Sequence, residues 1–125
     1  MAKKIIKKEV ILPDFPKQNS FQEDVWDVVR QIPKGRVTSY GAIAKYLGLA
    51  NGARQVGWAM GNAGKAKPKI PAHRVINSAG KLTAKNQFPN NGMEKSLTKE
   101  GIEIKNDSVV NFKKLFWDPA KELEL

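Results

Sequence analysis

The segment SYGAIAKYLGLANGARQVGWAMGN, residues 39–62, predicts two short helices separated by a tight turn. The first would cover about residues 39–47, with the hydroxyl of Thr38 or Ser39 as its N-cap. Gly48 is placed to end it, because glycine adopts the left-handed conformation of a helix C-cap without steric cost. A second helix follows after only a few residues. This arrangement is typical of a helix-turn-helix.

The second helix is predicted over about residues 52–62, with Asn51 as its N-cap. Val56 and Met60, four residues apart, would face the core, and Trp58 is expected to be partly buried. Much of the remaining surface carries almost no side chain, although glycine lowers helix stability; the small residues are Gly52, Ala53, Gly57, Ala59 and Gly61. We therefore expect something to approach this helix closely.

The long polar side chains of this helix are few and lie near its start, at Arg54 and Gln55. A helix that reads bases in the major groove of DNA normally presents several such side chains. A slim helix suits the narrower minor groove, where close packing is possible and sequence discrimination is poor. The composition thus favours contact with DNA that is independent of sequence.

A longer helix is predicted before this pair. Ser20 and Glu23 have the spacing of a capping box, and Trp26 is expected in the core. Proline and glycine at 33 and 35 would end the helix. Its apolar positions recur with helical spacing: Phe21, Val25, Val28, Val29 and Ile32.

The second half of the chain is predicted to alternate loops with short elements. Residues 64–69 form a lysine-rich loop, and residues 83–92 form a loop long enough to indicate a functional or disordered segment. A helix over about 93–100 would end at Gly101. The rest would be a half-exposed strand with Ile102 and Ile104, a turn at Asn106 and Asp107, and an aromatic cluster packed over the core: Phe112, Phe116 and Trp117.

Composition bounds the function. The length of 125 residues suits one domain. We expect a basic arm (1–19), a DNA-binding domain (20–118) and a carboxyl-terminal tail (119–125). The arm could equally be a solvated tail with no contact to DNA. A formal charge of +10 favours a polyanionic partner, nucleic acid first. The logarithm of the protein's affinity for nucleic acid should then fall linearly with the logarithm of the salt concentration, with a slope of roughly −4 to −5.

Other classes are disfavoured by what the sequence lacks. Without cysteine there is no disulfide, thiol nucleophile or thiolate metal site, and a single histidine makes a zinc site unexpected. We expect no metal and no cofactor. Neither a membrane span nor a signal peptide is visible, so we expect a cytoplasmic protein, associated with the nucleoid if the source is bacterial.

That histidine lies in residues 70–77, IPAHRVIN, where Pro71 keeps the preceding residue out of helical geometry and leads into a short strand. Taken alone, His73 is more simply a structural residue that ties loops together. However, the stretch resembles the active-site signature Pro-Cys-His-Arg-Val of the O6-alkylguanine-DNA alkyltransferases. Ala72 stands where that family has the cysteine that accepts the alkyl group.

The resemblance covers about residues 21–103 and is carried by several ordered motifs: VTSYG (37–41), ARQVG (53–57), MGN (60–62), PAHRV (71–75) and EG (100–101). The short chain, the lost cysteine and the ending at 112–119 are similar to the alkyltransferase-like proteins, non-enzymatic sensors of alkylated guanine. Those commonly have tryptophan at the position of Ala72. The resemblance implies a mainly α fold with a small β element, a winged helix-turn-helix-like DNA-binding domain.

It also implies site residues. Tyr40 matches a tyrosine that crowds the phosphate beside the target nucleotide, and Arg54 matches an arginine that fills the gap left by a flipped base. The implied DNA-binding set is Tyr40, Ala53, Arg54, Gln55 and Gly57. The implied lesion pocket is Tyr40, Met60, Pro71, Ala72, His73, Arg74, Val75 and Phe88. Asn62, His73 and Glu100 match a polar network that here has no cysteine to activate.

The predicted function is therefore binding of O6-alkylguanine in double-stranded DNA, with base flipping and without alkyl transfer. The resemblance further suggests a monomer that flags damage for nucleotide excision repair proteins and has no membrane partner. One alternative is a winged-helix transcription regulator that binds undamaged DNA. Another is an enzyme that uses His73 and Glu100 as a general acid-base pair.

Overall fold

A computed structural model describes the backbone of residues 18–123 and the side chains of residues 21–123. The predicted basic arm lies outside these residues except for its last two positions. The described elements are α1 (Gln18–Gln31), β1 (Thr38–Ser39), α2 (Tyr40–Leu47), α3 (Ala53–Gly61), β2 (Val75–Ile76), α4 (Gly92–Lys99), β3 (Ile104–Lys105), β4 (Ser108–Val109), α5 (Phe112–Leu115) and α6 (Pro119–Glu122). The predicted class, mainly α with a small β element, is confirmed.

Helix α1 packs its predicted apolar face against α3. Val25 and Val29 are fully buried there, and Trp26 is in the core as predicted, where its indole Nε1 donates a hydrogen bond to the Ala59 carbonyl over 3.0 Å. The start of α1 differs from the prediction. Because the helix begins at Gln18, Ser20 lies inside its first turn and not at the N-cap.

The helix-turn-helix is formed by α2 and α3. Ser39 is the N-cap of α2, its Oγ accepting from the Ala42 N–H over 3.1 Å, and Gly48 ends the helix with φ +65° as predicted. The cap of α3 is not Asn51. Gly52 precedes α3 with φ +54°, and the Asn51 N–H donates to the Gln55 side chain over 2.9 Å. A positive φ is easily adopted by glycine, which explains the shift of one residue.

The short strand β1 connects distant parts of the chain. It pairs in parallel with β2, Thr38 opposite Val75 and Ser39 opposite Ile76. Just before it, the Val37 carbonyl accepts from the Trp117 N–H over 2.7 Å, within a parallel bridge to Phe116. Residues 70–77 are thereby held beside the start of α2.

A second apolar cluster lies under the carboxyl-terminal half; its buried members are Val37, Ile76, Leu82, Met93, Leu97, Ile102 and Val109. Helix α4 ends in a Schellman motif, because Gly101 has φ +89° and the Ile102 N–H donates to the Leu97 carbonyl over 3.1 Å. The predicted strand is shorter than expected. Ile102 is buried ahead of β3, which forms an antiparallel hairpin with β4. Asn106 and Asp107 make the turn with positive φ values, as a type I′ turn requires.

The carboxyl-terminal aromatic segment packs over the core as predicted. Trp117 is only 4% exposed. Arg36 fixes this segment, donating from Nε to the Leu115 carbonyl over 2.9 Å and from Nη2 to the Phe116 carbonyl over 2.7 Å. Asp118 then caps α6, whose first residue, Pro119, is buried.

Candidate nucleic-acid interface

A pocket of about 520 Å³ lies between the start of α2, the end of α3 and the turn before β2. Four residues of the predicted lesion pocket line it: Tyr40, Met60, Ala72 and Phe88. The pairing of β1 with β2 explains their proximity, because it brings residue 72 next to the first residue of α2. The sequence motifs therefore do converge on one cavity.

The other predicted pocket residues, Pro71, His73, Arg74 and Val75, do not line this cavity. Val75 is 1% exposed within β2. The remaining walls come from residues that the resemblance did not assign to the pocket, although Gly61 belongs to the MGN motif: Gly61, Ala63, Gly64, Lys69, Ile70, Ala84 and Gln87. Lys69 and Ile70 directly precede the PAHRV motif, so adjacency in sequence was the signal available for them.

Ala72 begins a turn of 3-10 helix, Ala72–Arg74, and is one of the residues that line the pocket. Its backbone N–H donates to the Ile70 carbonyl over 2.9 Å, which fixes the position of the side chain. A methyl group has no lone pair with which to attack an alkyl carbon. Ala72 can therefore contribute shape and apolar surface to the pocket but no nucleophile.

Tyr40 forms another wall, at the first position of α2. Burial raises the pKa of its hydroxyl above the usual 10.0, and the side chain of Thr83 opposes that shift. At neutral pH the hydroxyl is thus protonated. It can donate a hydrogen bond to a phosphate or a base.

The next two residues of the turn, His73 and Arg74, do not line the cavity and share a carboxylate. His73 Nε2 lies 2.7 Å from Glu100 Oε2, and Arg74 Nη2 donates to the same oxygen over 2.7 Å. Arg74 also donates to the Ile32 carbonyl over 2.8 Å. The Gly35 N–H donates to Glu100 Oε1 over 2.9 Å. This cluster, His73, Arg74 and Glu100, ties the end of α1 to the end of α4.

Glu100 is a carboxylate at neutral pH. Burial alone would raise its pKa, but hydrogen bonds from Arg74, the Gly35 N–H and His73 outweigh burial and lower the pKa to about 2. Asn62 was predicted in the same network. In the described structure its amide instead donates to Gln22 Oε1 over 2.9 Å, on the side of α3 that faces α1.

Of the small residues predicted for a close-approach surface, Gly52, Ala53, Gly57 and Gly61 are exposed or half-exposed, whereas Ala59 is buried in the core. Arg54 is exposed and forms no ion pair with residues 21–123, Ala53 is exposed, and Gln55 and Gly57 are half-exposed. A Cβ added at Gly57 would meet no atom within 4 Å, so packing inside the protein does not require glycine there. Trp58 is 52% exposed and packs against Phe21, so the expected partial burial is confirmed.

Neither a candidate metal cluster nor a membrane-spanning helix is found among the described residues. No group of three or more His, Asp or Glu side chains in that range could hold a metal ion. None of the helices there is long and apolar enough to cross a bilayer.

Comparison with known proteins identifies the family. Residues 20–102 match the model of the DNA-binding domain of 6-O-methylguanine DNA methyltransferase. The chain belongs to this family. Within it, the chain is 40% identical to a DNA base-flipping protein of Vibrio parahaemolyticus, over 81% of this chain and 99% of the relative. It is 36% identical to alkyltransferase-like protein 1 of Schizosaccharomyces pombe, over 82% of this chain and 99% of the relative.

Solved structures of the family agree with the fold. The structure of S. pombe Atl1 in complex with damaged DNA containing O6-carboxymethylguanine superposes with a TM-score of 0.67 at 34% identity. The match covers 83% of this chain and 100% of that one. The helix-turn-helix-like architecture predicted from residues 39–62 is thereby confirmed.

Proposed function

We propose that this protein binds O6-alkylguanine in double-stranded DNA, rotates the damaged base into the pocket and holds it there without removing the alkyl group. The observation that carries the proposal is the place of Ala72 on the pocket wall. In the family signature that position belongs to the cysteine that takes the alkyl group. A pocket that keeps the motif around it and loses the thiol can still accept a base.

Entry from the minor groove is supported by the shape of α3. Its exposed side carries Ala53, Gly57 and Gly61 beside Arg54, with Trp58 as the one large apolar side chain described there. A planar guanidinium can stack on neighbouring bases and donate hydrogen bonds to their edges, which suits it to fill the gap left by an extruded base. Extrusion costs a few kcal/mol, and the cost is smaller for a base whose pairing is already weakened. Alkylation at O6 of guanine has that effect.

An acid-base enzyme is a poorer account of the same residues. Glu100, with a pKa of about 2, is too weak a base for efficient proton abstraction at neutral pH. Its oxygens are already hydrogen-bonded to Arg74, His73 and the Gly35 N–H. His73 does not line the pocket. The cluster is better explained as a scaffold that holds the turn carrying Ala72.

The proposal extends to cellular partners. A protein that holds a lesion without repairing it leaves the chemistry to others, and we infer that nucleotide excision repair proteins recognise the complex. We further propose a monomer that acts on DNA in the cytoplasm, or on the nucleoid in a bacterium. The surplus of ten positive charges supports steep salt dependence of this binding.

One experiment tests the core of the proposal. Duplexes that differ only in guanine or O6-methylguanine are titrated with the pure protein, and the recovered DNA is analysed by mass spectrometry. We expect tighter binding to the lesion and unchanged O6-methylguanine. Equal affinity for the two duplexes would refute lesion recognition, and recovered guanine would refute the absence of alkyl transfer. Release of a free base or an alcohol would instead support the acid-base enzyme.

A further inference from the structure

Trp58 is the most exposed of the three tryptophans. Its side chain is 52% exposed, whereas Trp26 and Trp117 are each 4% exposed. The indole is not surrounded by solvent on all sides, because it packs against the ring of Phe21 on α1, with ring centroids 5.7 Å apart and planes inclined by 38°. One side of the indole is thus supported by the protein, and the other is open.

The position of Trp58 on α3 determines which way the exposed side of its indole points. Residues 54, 57, 58 and 61 are three and four positions apart and share one face of the helix. The opposite face is the buried one, with Val56, Ala59 and Met60. We call residues 54, 57, 58 and 61 the outer stripe. Trp58 therefore projects on the same side as Arg54, one helical turn further along.

The outer stripe also leads to the pocket. Gly61, its last residue, lines the cavity, and Met60 beside it does the same. A Cβ added at Gly57 or Gly61 would meet no protein atom within 4 Å, so the two bare positions on either side of Trp58 leave room for an external surface. A duplex that inserts Arg54 and delivers a base to the pocket has to pass along this stripe.

We propose that Trp58, supported by Phe21, is a DNA contact that packs on the sugar edge of the minor groove beside the extruded nucleotide; this rests on the proposed function. The indole offers a flat apolar surface suited to deoxyribose, which is the apolar part of the DNA backbone. Bases of the intact flanking duplex remain stacked and are not available to it. Since every nucleotide has the same sugar, the contact does not depend on the lesion.

Independence from the lesion separates Trp58 from Arg54. Loss of the indole should weaken binding to damaged and undamaged duplex by the same factor and leave their ratio unchanged. Loss of Arg54 should lower the ratio, because the guanidinium acts only when a base has left the stack. Trp58 therefore sets overall affinity, and Arg54 sets the preference for the lesion.

The first test uses the intact protein. Acrylamide quenching of tryptophan fluorescence is measured alone and with saturating duplex containing O6-methylguanine. The accessible emission should belong to Trp58, and Trp58→Phe, which lacks it, checks that assignment. We expect the accessible fraction to fall in the complex. If the protein binds the lesion and Trp58 remains equally accessible, this inference is overturned and the proposed function stands.

The second test measures affinity. Trp58→Ala should raise Kd for both duplexes by about tenfold, the change produced by exposing roughly 60 Å² of apolar surface. Trp58→Phe retains a ring on Phe21 and should recover most of the loss. Val110→Ala removes another exposed apolar side chain, 43% exposed, far along the chain. This control should change Kd by less than about twofold, as ordinary surface substitutions do.

The outcomes are distinguishable. A thermal melt of each variant shows whether it is folded at the assay temperature, and quenching of the unmodified protein needs no variant at all. If Trp58→Ala is folded and binds both duplexes as tightly as the original, the surface serves another partner and the inference is wrong. If it loses only the preference for the lesion, Trp58 acts in the pocket, which also overturns the inference. Failure of the unmodified protein to prefer the lesion would instead count against the proposed function.

Discussion

Three consecutive residues, Ala72, His73 and Arg74, divide between two environments of opposite character. Ala72 faces a cavity of about 520 Å³ with a small apolar group. His73 and Arg74 do not line this cavity and instead contact the carboxylate of Glu100, whose side chain is 9% exposed. One side of the turn is open to a ligand and the other is closed by charge-assisted hydrogen bonds. The chemistry of the pocket and the stability of its support are thus carried by adjacent but separable side chains.

Breaking the closed side should have the largest effect. Glu100→Gln removes the charge that compensates Arg74, which is 16% exposed, so we expect a loss of about 3 kcal/mol or more in the free energy of unfolding. Urea denaturation measures it. Glu103→Gln, at an exposed position near by, is the control. A loss of less than about 1 kcal/mol would mean that the cluster contributes little beyond a surface ion pair.

Lowering the pH should remove the stabilisation by Glu100 in the unmodified protein. The folded pKa of Glu100, about 2, lies below its usual value of 4.5, so its stabilisation is present above pH 4.5 and is lost as pH falls from 4.5 towards 2. By linkage the full contribution is about 3 kcal/mol. Unfolding curves at several pH values measure it, with Glu100→Gln as the reference. If the difference between the two proteins does not shrink below pH 4.5, the cluster is not held by this carboxylate.

A substitution on the exposed side of α3, which reaches the cavity at Gly61, should change DNA binding and not the free energy of unfolding. We expect Arg54→Ala to lower the preference for O6-methylguanine over guanine by roughly tenfold or more, because a bidentate or stacked arginine contributes on the order of 1–3 kcal/mol of discrimination. Competition binding with the two duplexes measures the ratio. Lys45→Ala, an exposed cation on α2, is the matched control for the loss of one positive charge. If Arg54→Ala leaves the ratio of the two affinities unchanged, Arg54 has no role in base flipping.

The smallest expected effect concerns the size of the adduct. The methyl group of Ala72 leaves space that an indole would occupy, so Ala72→Trp should weaken binding of O6-benzylguanine relative to O6-methylguanine by about tenfold, through overpacking of roughly 1–3 kcal/mol. Fluorescence anisotropy with the two duplexes measures the ratio. In the unmodified protein the bulkier adduct should bind at least as well as the methyl adduct. If the substitution leaves the ratio unchanged, the space at residue 72 does not set the adduct range.

The elements that were predicted well are those specified by local rules. Ser39 and Gly48 set the ends of α2 because a side-chain hydroxyl and a left-handed glycine act within a few residues of their own positions. Asn106 and Asp107 form the predicted turn for the same reason. Local rules also misled where two candidates compete. Gly52, not Asn51, precedes α3, and α1 begins before Ser20.

Contacts between distant segments could not be predicted from spacing. Nothing near Thr38 indicates that it pairs with Val75, yet this pairing builds the pocket. Asn62 has the residue type expected for a polar network, but the rotation of α3 turns it towards Gln22. The motif match found Ala72, Tyr40, Met60 and Phe88 by analogy. The involvement of Lys69 and Gln87 depends on how the loops fold over the cavity, which no periodicity encodes.

The bridge between Val37 and Phe116 has a consequence for the order of assembly. The backbone of residues 37–39 hydrogen-bonds on one edge to residues 115–117 and on the other to β2, which follows the turn bearing Ala72. We expect partners this far apart in the chain to pair late in folding, because loop entropy opposes their pairing until much of the molecule is in place. A chain emerging from the ribosome would thus hold its helices before it held a finished cavity. The pocket should therefore be complete only when residues 115–117 have paired with Val37.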